Sequence, residues 1–595
     1  MERDAAAEYG RRLADRRARA AHLAASERRI GTWRLLAVVG LLAGAFAVYG
    51  WQVLPAWTLA PPALAFAALV AWHARVIPAR RAADRAVAYY AGGVARLEDR
   101  WAGDGRAGLR FLDLAHPYAA DLDLFGAGSL FELLCTARTG AGEARLAAWL
   151  LAPAPVEVVR ARQAAVAALR PRLDLREELA ALGDAVGDRL DPVALTAWGA
   201  APPRLGGAAR RTAAALLVAA SAVAGGGWLL GWWAAWPAAV ALVAQTLFAL
   251  ALRGSVRAVV RDVERPGREL DLLAALLARI EREPAGAPCL VALRAALDTA
   301  GVAPSARIAQ LDRLVTLLDA RRNQFFAPLA PLLLWQTQVA LAIEHWRAVS
   351  GAAVARWLDV LGDYEALGAL AGYAYERADD PFPDLVDGPA RFSAVGLGHP
   401  LLPARRCERN DVDLGPERAL LVVSGSNMSG KSTLLRTLGV NAVLAQAGAP
   451  VRATRLTLSP LAVGTSMRVA DSLQTGTSRF YAEIQRLRQL VDLAGAAPPL
   501  CFLLDEILHG TNSHDRRIGA EAVVRGLLGR GAIGCVTTHD LTLAGIAEAL
   551  APRAANVHFA DHLENGVMRF DYRMRDGVVQ HSNALALMRA VGLEV

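Results

Sequence analysis

Two stretches of the chain carry no charged side chain, Leu35–Trp72 and Thr212–Leu252. A helix that crosses hydrocarbon needs about 20 apolar residues, so each stretch can hold two spans joined by a tight turn. The turns are expected near Leu54–Trp57 and near Gly231–Pro237. Trp33, Trp51, Trp57 and Trp72 bracket the first pair, while Trp228, Trp232, Trp233 and Trp236 gather at the second turn. Indole is amphipathic and favours the membrane–water interface. Arg28, Arg29 and Arg34 precede the first hairpin, and Arg75, Arg80 and Arg81 follow it. Arg204, Arg210 and Arg211 precede the second, and Arg253, Arg257 and Arg261 follow it. Both turns are uncharged. The positive-inside rule then puts the remaining segments on the cytoplasmic side of the inner (cytoplasmic) membrane. A pair of buried core hairpins is the competing reading, but cores seldom hold such long uncharged runs between basic flanks. A cleaved signal peptide fits less well, because the leading region is Arg-rich helix former and the apolar run is too long.

Outside the hairpins the pattern is helical. Leu130–Leu151, Val156–Leu182, Leu270–Leu297, Ile308–Ala320 and Ala353–Tyr375 repeat apolar residues every three or four positions. Asp379-Asp380-Pro381-Phe382-Pro383 stops a helix and predicts a linker. Beyond it, short β-type runs alternate with helices: Ala419–Ser424, Cys501–Leu504 and Ile533–Thr538. That alternation predicts a parallel sheet. The expected fold class is an α-helical core followed by a C-terminal α/β domain, with two transmembrane helical hairpins.

Composition adds little. The mean hydropathy of +0.27 owes much to alanine. The net charge of +8 suits nucleic acid or lipid head groups but is spread along the chain. Lys431 is the only lysine. Cys135, Cys289, Cys407, Cys501 and Cys535 show no metal-ligand spacing and read as reduced thiols.

The chemistry lies near that lysine. Leu420-Leu421-Val422-Val423 reads as a buried strand leading into Gly425-Ser426-Asn427-Met428-Ser429-Gly430-Lys431-Ser432-Thr433. This is G-x-x-x-x-G-K-S between strand and helix, the P-loop context. The loop's N–H groups and the helix N-terminus would cradle the phosphates of ATP. Lys431 would reach the β- and γ-phosphates, and Ser432 would ligate Mg2+. Further on, Cys501-Phe502-Leu503-Leu504 delivers Asp505 and Glu506 to a strand end. Asp505 would hold the Mg2+ shell, and Glu506 would orient and deprotonate the attacking water. A third strand leads to His539, placed to sense the γ-phosphate or the water.

Together these segments resemble the MutS mismatch-repair ATPase family. The P-loop with Asn427-Met428 is similar to that family's G-x-N-M-x-G-K-S-T, and Asp505–Thr511 to its D-E-x-x-x-G-T element. Gly398-His399-Pro400 resembles its H-P segment, and Asn410-Asp411-Val412 the loop whose asparagine contacts adenine. Asn556-Val557-His558 and 582–592 resemble the closing motifs, with His558 on the adenine side. Ser472–Glu483 resembles the segment that reaches across a dimer, with Ser478 at the serine that faces the partner's nucleotide. Gly128-Ser129-Leu130-Phe131 resembles the start of the family's helical core. The resemblance covers 105–200 and 300–595, tightly from 395. It implies a P-loop NTPase of the ABC-type class, ATP hydrolysis with Mg2+, a homodimer through the ATPase domains, and DNA as a partner. His509 stands where the family often has arginine, and Cys407 where it often has an aromatic residue that stacks on adenine.

The predicted organisation is a basic N-terminal helix (1–32), a first transmembrane hairpin (33–76) and a first part of the helical core (105–205). A second hairpin (212–252), a second core and lever part (256–378) and the ATPase domain (390–595) follow. The residues before the core are too few for mismatch-reading and connector domains, so mismatch recognition does not follow; a branched or other duplex fits the reading as well. The leading expectation is an ATP-dependent, DNA-binding ATPase attached to a lipid bilayer. An ABC-transporter-like ATPase lacks an L-S-G-G-Q-like signature here, and a scaffold that only binds ATP would not need Glu506.

Overall fold

The computed structural model describes residues 4–187, 190–320, 326–426, 428–468, 479–509, 511–539, 541–564 and 567–579. The chain divides into two compact units: Met1–Thr136 with Ala144–Leu173 and Ala366–Val595, and Ala137–Glu143 with Asp174–Glu365.

The first unit opens with two long helices, Ala5–Ala45 and Ala60–Leu97. Asp4 caps the first by accepting from the Ala6 N–H at 3.0 Å, and Pro61 and Pro62 occupy the first turn of the second, where no N–H is needed. Their outer halves expose Leu35, Leu42 and Leu64, and the connection between them exposes Phe46, Trp51 and Trp57. Their inner halves are packed: Tyr9 stacks on Tyr375 at 5.4 Å, and Arg96 meets both oxygens of Glu376 at 2.8 and 2.6 Å. A short helix, Leu130–Leu134, follows. Ser129 caps it, while Glu132 accepts from the N–H groups of Gly103, Gly105 and Gly128.

The second unit is helical. Its longest element, Trp236–Glu281, runs without interruption from the second apolar hairpin into a buried stripe of Val256, Val259, Val263, Leu270, Leu273, Leu277 and Ile280. The hairpin and the second core part are thus arms of one helix. Thr139 and Glu365 also meet here. Glu365 accepts from the N–H groups of Arg138 and Thr139 at 2.9 and 3.3 Å and from the Thr139 hydroxyl.

Among the described residues, four helices are long and apolar enough to cross a membrane, within Ala5–Gly50, Ala56–Leu97, Ala208–Leu229 and Trp236–Glu281. Three expected helices are broken. Leu130–Leu151 becomes Leu130–Leu134 and Gly140–Leu151, because the Thr139 hydroxyl accepts from the Gly142 N–H and starts a new helix. Val156–Leu182 splits around Pro171, and Leu270–Leu297 around Pro284. In both, proline has no N–H to continue the ladder.

After the linker the described residues form ten strands: β1 (Asp384–Leu385), β2 (Phe392–Leu397), β3 (Asn410–Leu414), β4 (Leu420–Ser424), β5 (Arg455–Leu458), β6 (Ala462–Ser466), β7 (Leu500–Asp505), β8 (Ile533–Thr538), β9 (Ala554–Glu564) and β10 (Val567–Asp576). They form a sheet β1-β5-β2-β3 and a second sheet β10-β9-β4-β8-β7-β6. In the second, β9, β4, β8, β7 and β6 are parallel, and β10 closes the edge antiparallel to β9. Strands buried on both faces read as continuous apolar runs, as β4, β7 and β8 do.

Candidate nucleotide site

The carboxyl ends of β4, β7 and β8 open on one side of the sheet, the place where open α/β sheets bind ligands. β4 ends at Ser424, and the chain turns through Gly425 at φ 149° and Gly430 at φ 108° into the helix Lys431–Ala447. A side chain at Gly425 would collide with the Ser429 hydroxyl at 2.8 Å, so the turn requires glycine. Met428 holds φ 71° and is exposed, whereas Ser429 and Lys431 are buried.

The Lys431 ammonium donates to the carbonyls of Gly425 and Ser426, both at 2.9 Å, and lies 3.7 Å from Glu506. Burial holds its pKa below the ordinary lysine value, against the pull of Glu506 and Asp505. Among the described residues, the buried hydroxyls of Ser426 and Ser429 have no hydrogen-bond partner. Buried polar groups are normally satisfied, so two orphan hydroxyls beside a lysine fit a bound phosphate. Ser432 and Thr433 open the helix that follows. Asn427 lies outside the described residues, as does Ser478.

Asp505 ends β7 and accepts from the Thr537 hydroxyl of β8. Ser432 and Asp505 are the residues suited to hold Mg2+. The next residue, Glu506, takes φ 50°, and Leu508 takes φ 59°. Left-handed backbone at two non-glycine residues is strain concentrated where the chain must turn a side chain inward. The Glu506 N–H donates to the Thr537 hydroxyl at 3.1 Å and to its carbonyl at 3.2 Å.

His539 Nδ1 lies 3.2 Å from one Glu506 oxygen, and His509 Nε2 lies 3.1 Å from the other. The two imidazoles are 4.7 Å apart. Burial raises the Glu506 pKa, but the His539 hydrogen bond and the charges of His539, Lys431 and His509 outweigh it, leaving the carboxyl below its usual range. Burial also holds His509 below the ordinary histidine value. Glu506, His509 and His539 present ligand atoms within 4.8 Å of one another, a donor set able to hold a metal ion. The sequence reading singled out Glu506 and His539. It treated His509 only as a departure from a motif and missed its contact with Glu506.

A cavity of about 670 Å³ adjoins the P-loop, lined by His399, Cys407, Asn410, Gly430, Thr433, Phe559, Phe570 and Tyr572 among others. Cys407 brings no ring, and its sulfur packs close to Gly398. Phe559, Phe570 and Tyr572 bring aromatic faces instead. A register shift between Phe570 and Met574, with Tyr572 at φ 54°, aims the Tyr572 ring at Gly430. Asn410 lines this cavity, but its amide is engaged: Nδ2 donates to the Tyr572 carbonyl at 3.0 Å and Oδ1 accepts from the Met574 N–H at 2.7 Å. His558 is not among the residues that line this cavity. Neighbours on a strand face opposite ways, so Phe559 enters the cavity while His558 Nδ1 sits 3.1 Å from the Gly577 carbonyl. The period-two aromatics Phe570 and Tyr572 were the sequence signal for this wall.

Fold and cradle together define a P-loop ATPase domain. Residues 421–594 match the family model of MutS domain V. Endonuclease MutS2 of Thermus thermophilus is 33% identical over 211 residues, covering 34% of this chain and 26% of that protein. The DNA mismatch repair protein MutS of Shouchella clausii is 31% identical over 248 residues, 40% of this chain and 28% of that protein. The DNA mismatch repair protein MutS 2 of Halobacterium salinarum is 32% identical over 264 residues, 43% of this chain and 28% of that protein. Residues 421–594 are thus a MutS domain V, and the chain spans about a quarter of the length of these curated relatives.

Proposed function

We propose that this chain is a membrane-attached MutS-family ATPase that binds Mg2+·ATP in the P-loop cradle, hydrolyses it, and works as a homodimer on DNA. The observation that carries the reading is the convergence of Lys431, the orphan Ser426 and Ser429 hydroxyls, and ionised Glu506 at the ends of β4 and β7. In the reaction, a water oxygen bonds to the γ-phosphorus, its proton passes to Glu506, and the bond to ADP breaks. Mg2+, when bound, neutralises charge on the phosphate oxygens. Lys431 stabilises the charge that develops on the transferred group, and His539 holds Glu506 in place. The Phe570 and Tyr572 rings suit the base of the nucleotide.

The four exposed apolar helices and their arginine flanks support membrane attachment with the ATPase domain on the cytoplasmic side. The relatives' names, a mismatch repair protein and an endonuclease, support DNA as the partner class. ATP hydrolysis by the purified full chain, with and without perfect, mismatched and branched duplexes, tests the reading. Turnover that rises with duplex is expected. Hydrolysis indifferent to every DNA would remove the DNA half of the proposal, and no hydrolysis would remove the enzymatic half.

A further inference from the structure

Gln245 is a polar residue in the apolar arm of the second hairpin, yet it is only 2% exposed. Its Oε1 accepts from the Ser221 hydroxyl on the facing helix at 2.7 Å. Its Nε2 donates to the carbonyls of Pro331 and Leu332 at 3.1 and 2.8 Å. At 1.5 Å per residue, Gln245 lies roughly 13 Å along its helix from Trp236 at the turn. That is close to the middle of a hydrocarbon layer about 30 Å thick. Pro331 and Leu332 therefore share the depth of the hairpin's centre.

We propose that Phe326–Leu334 enters the bilayer as a re-entrant segment, seated on the second hairpin and pinned at mid-membrane depth by Gln245. The proposal rests on reading Ala208–Leu229 and the first half of Trp236–Glu281 as membrane-spanning. Its sequence suits hydrocarbon: Asn323–Ile343 carries no charge, and Arg321 and Arg322 precede it. Leu329 and Leu332 are 52% and 49% exposed, so they face outward from the protein.

Irregular backbone survives at membrane depth only where its polar groups are satisfied by protein. Here the N–H groups of Leu329 and Ala330 donate to the Phe326 carbonyl, that of Leu333 to Leu329, and that of Leu334 to Pro331. Pro328 and Pro331 have no N–H to satisfy. The Gln245 amide meets the two carbonyls at the tip. The segment reverses at Leu334, in the left-handed region at φ 46°, and its ends are closed by Phe326 against Trp335 at 4.9 Å. Between the segment and the hairpin lies a cavity of about 400 Å³, lined by Leu242, Thr246, Ala249, Ala330 and Leu332. None of its described lining residues is charged, and the cavity suits an acyl chain.

The test uses the full chain in phosphatidylcholine vesicles, with or without bromine on the acyl chains. An NBD fluorophore is attached at L332C in a C289S/C407S background, whose three remaining cysteines are buried. Controls carry NBD at L247C on the hairpin and at V291C on a helix outside it. Strong quenching at 247 and 332, with none at 291, is expected. Adding Q245L should reduce quenching at 332 while leaving 247 quenched. Quenching at 247 but not at 332 would overturn the re-entrant segment and leave the membrane reading standing. Absence of quenching at both 247 and 332 would overturn the membrane reading and the proposal with it.

Discussion

The carboxylate of Glu483 accepts the backbone N–H of Leu508 at 2.5 Å. Glu483 is buried on the helix Arg479–Leu493 and is the last residue of the Ser472–Glu483 segment that resembles the family's dimer-crossing one. Leu508 sits in the strained turn that aims Glu506 and His509. The contact therefore ties that helix to the turn that carries Glu506. E483A leaves a buried N–H unpaired, which costs about 1–3 kcal/mol and loosens the turn. Hydrolysis should fall while ATP binding persists, and E483Q, which keeps an acceptor oxygen, should restore most of the rate. Equal loss in both variants, measured by steady-state turnover and nucleotide titration, would point to a general folding defect.

Glu506→Gln removes the proton acceptor but keeps the shape of the side chain. Turnover should drop by at least about a hundredfold with ATP affinity near normal. Lys431→Ala, in contrast, should abolish nucleotide binding. A fluorescent ATP analogue reads both outcomes, and a normally active E506Q would remove Glu506 from its role.

Ser478 lies beyond the described residues, so its role is best tested by complementation. S478A and K431A protomers are each expected to be nearly inactive. Mixed, they can form one hybrid site with both halves intact, and activity should return and rise with protein concentration. Failure of the mixture, with a rate per protomer independent of concentration, would argue for a site complete within one chain.

The membrane reading makes a topological prediction. Reporters fused after Arg81 and after Arg261 should report the cytoplasm, and ones inserted at Pro55 or Ala235 the opposite side. Recovery of the full chain in the supernatant after membranes are pelleted would contradict it.

Glu365 supplies a pH dependence. Burial pushes its pKa up to about 7, against the hydrogen bonds it accepts from Thr139 and Arg138. The folded state then binds a proton more tightly than the unfolded chain, whose glutamate titrates near 4.5. Its contribution is fully present below the unfolded pKa and is lost as pH rises toward 7. Between those limits the loss should be about 3 kcal/mol. Denaturant melts of wild type minus E365Q, from pH 4 to pH 8, isolate the effect. A difference that does not change with pH would contradict it.

Local pattern was enough to read the P-loop, the Asp505-Glu506 strand end, the apolar hairpins and the alternation that makes a parallel sheet. Each is written in contiguous residues: glycines where a turn needs them, apolar runs where a strand is buried on both faces, uncharged runs where a helix is long enough to cross a membrane. Residues distant in sequence depend on strand order and on backbone angles that no short window displays. Thus strand alternation turned Phe559 rather than His558 into the cavity, and the irregular pairing of β10 brought Tyr572 over Gly430. Positive φ at Glu506 and Leu508 gathered His509 and His539 on one carboxylate. The contact of Gln245 with Pro331 and Leu332 likewise exists only once the chain has folded back on its own hairpin. Sequence alone thus determined which groups could do chemistry. The tertiary structure decided which of them meet, because contacts between distant segments are set by the packing of whole elements.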